Sequence, residues 1–157
     1  MTFRSQQIRG DVHDPGAALF GGVSGHAGLF SNAYETAAIM QMLLNGGELN
    51  GKRFLKKSTV DLFTSYQSNG SRRGLGFDKP EKDNATRKDP YPCKSASEST
   101  FGHTGFTGTC TWADPKEKIV YVFLSNRVCP DGGANNKLSR LNVRSSIQEA
   151  IYNALLK

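Results

Sequence analysis

The sequence of 157 residues is poor in the features that mark several protein classes. It has three cysteines, Cys93, Cys110 and Cys129, and this odd number at wide spacing matches neither a zinc site nor a disulfide framework. Its longest apolar runs, such as residues 119–124, are far shorter than the roughly 20 residues of a membrane-spanning helix. The glycine-rich residues 21–28 lack the Lys-Ser or Lys-Thr of a phosphate-binding loop. We therefore expect no metal, no cofactor and no membrane span.

Acidic residues are also scarce, with 14 Asp and Glu against 20 Lys and Arg, which gives a formal net charge of +6. The basic residues are scattered, and no basic helix or aromatic RNA-binding signature accompanies them. We therefore expect a solvated basic surface and no nucleic-acid partner. Hydrophobic residues make up 37% of the chain, which is sufficient to bury a core.

Helical periodicity appears in three segments. A first helix is predicted after a cap at Ser31 or Asn32, with Glu35 in capping-box style, and it ends at Gly46-Gly47. A second is predicted from Ser58 to about residue 66. A last helix is predicted from residue 139 or 142 to residue 156, with an apolar face at helical spacing: Val143, Ile147, Ala150, Ile151, Ala154 and Leu155.

Strand signals fill most of the rest. Residues 74–77 read as a short strand, and residues 79–99 as a long polar loop. Residues 100–104, 107–113 and 118–125 are predicted strands, the last two joined as a hairpin, and the apolar run 119–124 favours packing on both faces. Residues 1–30 read as loop. The predicted fold class is α+β, an antiparallel sheet with packed helices, in one domain.

The segment most suggestive of chemistry is residues 101–108. His103 and Thr104 end a predicted strand, and Gly105 allows a ligand to approach the backbone. The N–H of Phe106 is then expected to point at a substrate oxygen, as an oxyanion donor does. The alternative interpretation is a glycine-rich turn with a half-exposed histidine.

Other candidate sites are weaker. Cys110 with His103 could form a thiol–imidazole couple, although cysteine on a strand is more often a small buried hydrophobe. Ser24 misses the spacing of a nucleophile elbow by one residue at each glycine. A metal site could in principle use histidines and aspartates of the N-terminal loop, but their spacing fits no known site: His13, His26, Asp11 and Asp14.

An ordered series of segments carries a family resemblance that covers about residues 14–155. Each segment by itself is a weak match to any family. The segments are residues 28–33, 42–47, 55–60, 74–77, 103–105, 112–115 and 122–127. In this order they resemble the C-terminal half of the serine β-lactamase-like family, which includes class C β-lactamases, D-Ala-D-Ala carboxypeptidases and esterases. The resemblance implies the C-terminal part of a β-lactamase/transpeptidase-like fold, and an acyl-enzyme mechanism on amide, ester or lactam carbonyls.

The resemblance also implies roles for individual residues. His103-Thr104-Gly105 is similar to the family's third active-site element in its His form. His103 and Thr104 would assist proton transfer and hold the substrate's carboxylate or leaving group, and the Phe106 N–H would be one oxyanion donor. Arg144 lies near a position where some members contact substrate, although a solvated helix-terminal arginine is the plainer interpretation.

The chain departs from the family pattern at its nucleophile. No Ser is followed by Lys three residues later, and no Tyr or Ser by Asn two residues later. We therefore expect a C-terminal fragment, one partial domain over residues 1–157, that is inactive alone and has no nucleophile of its own.

The fragment reading brings further expectations. The parent's substrate would be a small molecule or peptidoglycan-like, its location periplasmic or in the cell envelope, and the strand at residues 118–125 could self-associate. The alternative function is a non-catalytic binding or docking module attached to a larger cell-wall or glycan-processing enzyme.

Overall fold

The computed structural model describes Arg4 and residues 7–155, so the predicted ends of the partial domain and of the last helix lie outside the described residues. The chain divides into two compact units, Met1–Asn32 and Ala33–Lys157. The extent of the predicted single domain stays a prediction.

The first unit contains a short helix, α1 (Pro15–Leu19), where the sequence was interpreted as loop. Asp14 precedes it and accepts a hydrogen bond from the Ala17 N–H at 2.8 Å, with proline at the first helical position. An aspartate cap followed by proline is a helix start signal, and the surrounding glycines obscured it.

The second unit begins with the predicted first helix, α2 (Ala33–Leu44), which buries Met40. A small hairpin follows, β1 (Glu48–Leu49) with β2 (Lys52–Arg53). Helix α3 (Lys57–Thr64) confirms the predicted second helix, beginning one residue before Ser58 and ending two residues before residue 66. Lys56 occupies the cap position and makes no side-chain cap hydrogen bond.

A three-stranded antiparallel sheet confirms the three main predicted strands. Its order is β3 (Phe101–Thr104), β4 (Cys110–Asp114) and β5 (Ile119–Phe123), with β4 in the centre. The short strand predicted at residues 74–77 is wrong, since this segment contains a bend at residues 75–76 and no strand. The outer edge of β3 pairs with this part of the chain only through a single antiparallel bridge, between Asp78 and Gly102.

Helices cover both faces of the sheet. Phe101 and Ala113 pack with Met40 of α2, and Val120 of β5 joins this cluster. On the other face, Trp112 and Tyr121 pack against Tyr91 of the long loop and Ile151 of the last helix. A second cluster there joins Cys93 and Ala96 of the loop to Tyr152 of the same helix. The run in β5 thus packs on both faces as predicted, although most of its residues are half-buried.

The predicted last helix is two helices, α4 (Lys137–Arg140) and α5 (Val143–Leu155), because Asn142 adopts a positive φ of 48° between them. The predicted apolar face of α5 is only partly right. The helix buries Gln148 and Tyr152, while Ile147 and Leu155 are exposed. At 13 residues α5 is the longest helix in the described chain, and no described helix has the length and apolar character to cross a membrane.

Candidate functional site

His103 lies near the end of β3 with its side chain exposed, and two hydrogen bonds fix its ring. Its Nδ1 is 2.7 Å from the Thr104 carbonyl oxygen, and its Nε2 is 2.7 Å from Arg73 Nη1. A carbonyl can only accept and a guanidinium can only donate, so Nδ1 carries the proton and Nε2 accepts. The ring is therefore held as the neutral Nδ1–H tautomer.

Arg73 is itself held by a buried carboxylate. Its Nε lies 2.9 Å from Asp78 Oδ1, and the Asp78 side chain is 3% exposed. The backbone of Asp78 bridges Gly102, one residue before His103, with N–H···O distances of 2.7 and 3.0 Å. Asp78, Arg73 and His103 thus form a connected chain of polar contacts along the edge of β3.

Asp78 also organises the side of the site formed by the long loop. The Tyr91 hydroxyl donates to Asp78 Oδ2 at 2.8 Å, and the Arg72 guanidinium lies over the Tyr91 ring at 4.4 Å. Burial, and then the hydrogen bond to Asp78, raise the pKa of Tyr91 to about 12, so the phenol stays a hydrogen-bond donor at neutral pH. Arg72 reaches Glu81 at 2.9 Å, which ties the loop to this cluster.

Sequence reasoning missed Arg73 and Asp78. Arg72-Arg73 read as part of a scattered basic surface, and Asp78 as the start of a polar loop. The one available signal was an acidic residue directly after the Gly-Leu-Gly-Phe segment and close to paired arginines. The 30-residue separation between Arg73 and His103 hides their contact from any local pattern.

The turn after β3 is fixed by backbone and arginine contacts. The Gly105 N–H donates to the Thr109 carbonyl at 2.7 Å. Arg127 Nε donates to the Phe106 carbonyl at 2.6 Å, and its guanidinium lies 4.5 Å from the Phe106 ring centroid. The Phe106 side chain is 70% exposed, so the turn projects a phenyl ring from the end of the strand. The oxyanion role of the Phe106 N–H stays a prediction.

Arg144 lies beside the same turn and donates hydrogen bonds to its backbone through one guanidinium nitrogen. Its Nη1 lies 3.1 Å from the Thr109 carbonyl oxygen and 3.4 Å from that of Gly105. The residue is half-buried, so the interpretation as a solvated helix-terminal arginine is wrong. The structure brings Arg144 to the turn that follows His103 and Thr104, where it braces the backbone. Its contact with substrate stays a prediction.

The thiol–imidazole alternative is wrong. In the register of β3 and β4, His103 pairs with Thr111, and the neighbouring Cys110 pairs with Thr104. Successive side chains of a strand point to opposite faces, so Cys110 and His103 lie on different faces of the sheet. Cys110 is buried, which raises the pKa of its thiol to about 11. It is a core residue and not a nucleophile.

The N-terminal loop residues make local contacts with one another. Ser24 Oγ lies 2.8 Å from His26 Nδ1, and His26 Nε2 lies 2.9 Å from Asp14 Oδ1. Asp14 also caps α1, so this exposed group links the helix start to the glycine-rich loop. Within the described residues, no three His, Cys, Asp or Glu side chains are placed to hold a metal ion.

Comparisons with known proteins identify the family of this chain. A family model described as Beta-lactamase matches residues 3–143. A protein of Escherichia coli strain K12 named "Putative D-alanyl-D-alanine carboxypeptidase" is 42% identical over 127 residues, which is 80% of this chain and 29% of that protein. A protein of the same name from Salmonella enteritidis is 40% identical over the same shares. The chain thus spans less than a third of the length of these relatives.

Proposed function

Because this chain belongs to the beta-lactamase family, we propose that it forms one wall of the catalytic cleft of a serine hydrolase. The reaction is transfer of an acyl group from an amide, ester or lactam to a serine, followed by hydrolysis. The Ser-x-x-Lys nucleophile lies outside this chain, since no serine here has that spacing. The chain alone is therefore inactive, and the substrate is a small molecule or a peptidoglycan-like peptide.

The observation that carries this proposal is the fixed position of His103 at the end of β3. The side chain is exposed, and the Thr104 carbonyl on Nδ1 and Arg73 on Nε2 hold its ring, with Arg73 itself paired to buried Asp78. Preorganised polar groups of this kind need no reorientation when charge develops in a transition state.

Each residue of the wall has a distinct part in the proposed reaction. The substrate or the attacking group displaces Arg73 from Nε2 of His103, which then accepts its hydrogen bond. Thr104 orients the leaving group or a carboxylate. The Phe106 N–H donates to the carbonyl oxygen as it becomes an oxyanion. Arg144, which braces the turn through the Thr109 and Gly105 carbonyls, contacts the substrate beside it.

A second candidate function is a non-catalytic binding or docking module within a larger cell-wall or glycan-processing enzyme. The absence of Ser-x-x-Lys and of Tyr-x-Asn or Ser-x-Asn favours it. An in-frame coding sequence upstream that contains both motifs would support the hydrolase, and an upstream sequence without them would support the module.

The hydrolase proposal is tested in a polypeptide that includes the upstream motifs. We expect His103→Ala to lower turnover about a hundredfold, as is typical for a group that acts in proton transfer. Its thermal stability should change little, because the side chain is exposed. His13→Ala serves as the control variant. Equal losses of turnover and of folding would contradict the assignment.

The chain by itself provides a complementary measurement. Incubation with a β-lactam or a fluorophosphonate should give no covalent adduct by intact mass, since no serine has an activating lysine at the required spacing. A stoichiometric adduct on any residue would show that this chain carries a nucleophile of its own.

A further inference from the structure

Helix α5 buries a polar residue where a packed helix normally buries an apolar one. Gln148 lies between Arg144 and Tyr152 at a spacing of four residues, and it is 2% exposed. Among the described residues its carboxamide makes no side-chain hydrogen bond, and it lines a cavity. A water molecule or a polar group of a ligand in that cavity can supply its hydrogen bonds.

Gln148 lines a cavity of about 160 Å³ that begins at Thr104 of β3. The cavity lies between the face of the sheet, the long loop and the start of α5, and its wall combines apolar and polar surfaces. Trp112, Tyr91 and Leu138 provide apolar area, and Ser139 and Ser145 bring hydroxyl groups. A cavity of about 150 Å³ can admit a molecule of the size of benzene, so this one has room for a small substituent.

We propose that this cavity is a binding subsite for an acetamido group, the N-acetyl substituent of an amino sugar or of an acylated amino acid. The methyl group would pack against Trp112 and Tyr91. The amide would exchange hydrogen bonds with the Gln148 carboxamide, which offers both a donor and an acceptor. The cavity thereby selects an acetylated substrate over its free amine.

The charges around the cavity favour a neutral group. None of the lining residues in the described part of the chain is acidic, so a free ammonium would be buried without a counter-charge there, which is strongly unfavourable. Arg144 is the one charged lining residue, and its Nη1 already faces the Gly105 and Thr109 carbonyls. A neutral amide avoids the desolvation cost of a buried ion and uses the partners that are present.

The position of the cavity connects it with the proposed cleft. Thr104 belongs both to the cavity wall and to the His103-Thr104-Gly105 segment, and its side chain lies on the face of the sheet opposite to that of His103. A substituent in the cavity would therefore belong to a molecule that passes around the end of β3. The inference rests on the proposed function for its substrate class, and it narrows that class to N-acetylated compounds. The binding itself requires no nucleophile, so it can be measured in this chain.

The test uses Trp112, the single tryptophan of the sequence, as the reporter. We expect the methyl glycoside of N-acetylglucosamine to change its fluorescence saturably in the millimolar range, and the matching glucosamine glycoside to have no effect. N-acetyl-D-alaninamide tests the acyl amino acid as the source of the same group. Saturable binding of either acetylated compound alone supports the subsite. An equal response to the free amine, or no response to either acetylated compound, overturns it.

Variants of α5 separate binding from folding. Gln148→Leu should weaken binding at least tenfold while thermal stability changes little, because the carboxamide makes no hydrogen bond to another described side chain that the substitution would break. Gln148→Glu should also weaken binding at least tenfold, and Asn153→Leu, exposed on the same helix and outside the cavity wall, should leave it unchanged. Unaltered binding in Gln148→Leu would overturn the proposal. The adduct and turnover measurements on the longer polypeptide report separately on the hydrolase proposal.

Discussion

At the scale of single residues, the site depends on how an exposed histidine acquires a fixed orientation. An exposed ring normally samples several rotamers, and ordering it has an entropic cost. Two contacts restrain His103: the Thr104 carbonyl on one nitrogen and Arg73 on the other. Asp78 in turn restrains Arg73, so a buried carboxylate orients an exposed imidazole through an arginine.

We expect the wild-type His103 ring to show the nitrogen chemical shifts of a single Nδ1–H tautomer. Arg73→Met removes the partner of Nε2, so the variant should lose this single-tautomer signature. It should also be less stable than the wild type, because buried Asp78 loses its ion pair with Arg73. Nitrogen-15 NMR of the histidine side chains measures both states. Arg87→Met is the control, because Arg87 contacts Glu81 and Asp83 and not His103. Identical tautomer signatures in Arg73→Met and the wild type would refute the positioning role.

Lys79 is a second residue whose surroundings determine its chemistry. It is 3% exposed, its Nζ donates to the Thr100 carbonyl at 3.1 Å, and the Tyr66 ring lies 4.7 Å away. Burial lowers the pKa of Lys79 to about 8, against the attraction of Glu98 and Asp114. Between pH 8 and the ordinary lysine pKa of 10.5, the unfolded chain therefore binds more protons than the folded one.

The free energy of unfolding of the wild type, relative to Lys79→Met, should rise as pH increases from 8 to 10. The gain is at most about 1.4 kcal/mol per pH unit, because methionine does not titrate. Urea denaturation at several pH values measures it. Lys82→Met is the matched control, since Lys82 also lies over Tyr66 but is exposed. A pH-independent difference for Lys79→Met would mean that Lys79 keeps an ordinary pKa.

At the scale of elements, one carboxylate at the end of β4 joins three parts of the second unit. Asp114 is buried and accepts hydrogen bonds from the Ser97 N–H, the Ser97 hydroxyl and the Tyr152 hydroxyl. It also accepts from the Lys116 N–H in the hairpin turn. Burial alone would raise the pKa of Asp114, but these hydrogen bonds outweigh it and hold the pKa below 3.8. The long loop, the hairpin and α5 thus share one anchor.

Asp114→Asn should lower the free energy of unfolding by about 1–3 kcal/mol. The amide keeps the shape of the carboxylate, but its NH2 group faces the N–H and O–H donors that the carboxylate oxygens accept from. Asp61→Asn, which breaks an exposed pair with Lys57, should cost only about 0.3–0.5 kcal/mol. Because the folded pKa of Asp114 is depressed, its contribution is present above pH 4 and disappears as pH falls below it. Denaturation of both variants at pH 7 and at pH 3 measures these effects. Equal losses in the two variants would contradict the anchor role.

At the scale of the whole molecule, the sheet has an edge. Among the described residues, β5 pairs only with β4, so its outer N–H and C=O groups form no ladder there. The strand is rich in β-branched and aromatic residues, and none of its five residues is a proline or a charged residue. An edge of this kind recruits other strands.

We therefore predict that the isolated chain self-associates through residues 118–125. Val122→Lys should shift the molecule toward monomer, because lysine on an edge strand opposes strand addition. Light scattering over a concentration series measures this, and Leu155→Lys, which adds the same charge at an exposed helix end, is the control. A wild-type chain that stays monomeric at every concentration would rule out the predicted association.

Much of the fold was determined by local sequence patterns. Helix α2 and the three strands of the larger sheet were predicted within a few residues, because capping, periodicity and turn signals act over short stretches of chain. The order of those segments also identified the family and directed attention to His103 and Thr104. The sequence analysis did not predict the short helix α1, because the nearby glycines favour turns and mask the helix start signal of Asp14 and Pro15.

Tertiary structure alone decided the environment of the site. Arg73 contacts His103, Asp78 contacts Arg73, and Tyr91 contacts Asp78, so residues far apart in the sequence form one chain of contacts beside β3. Packing likewise determined which face of α5 is buried. The Tyr152 hydroxyl donates to Asp114, and Gln148, four residues earlier on the same face, is buried with it. Periodicity records which residues are apolar, whereas burial depends on what each side chain meets across the fold, and that information is not local in the sequence.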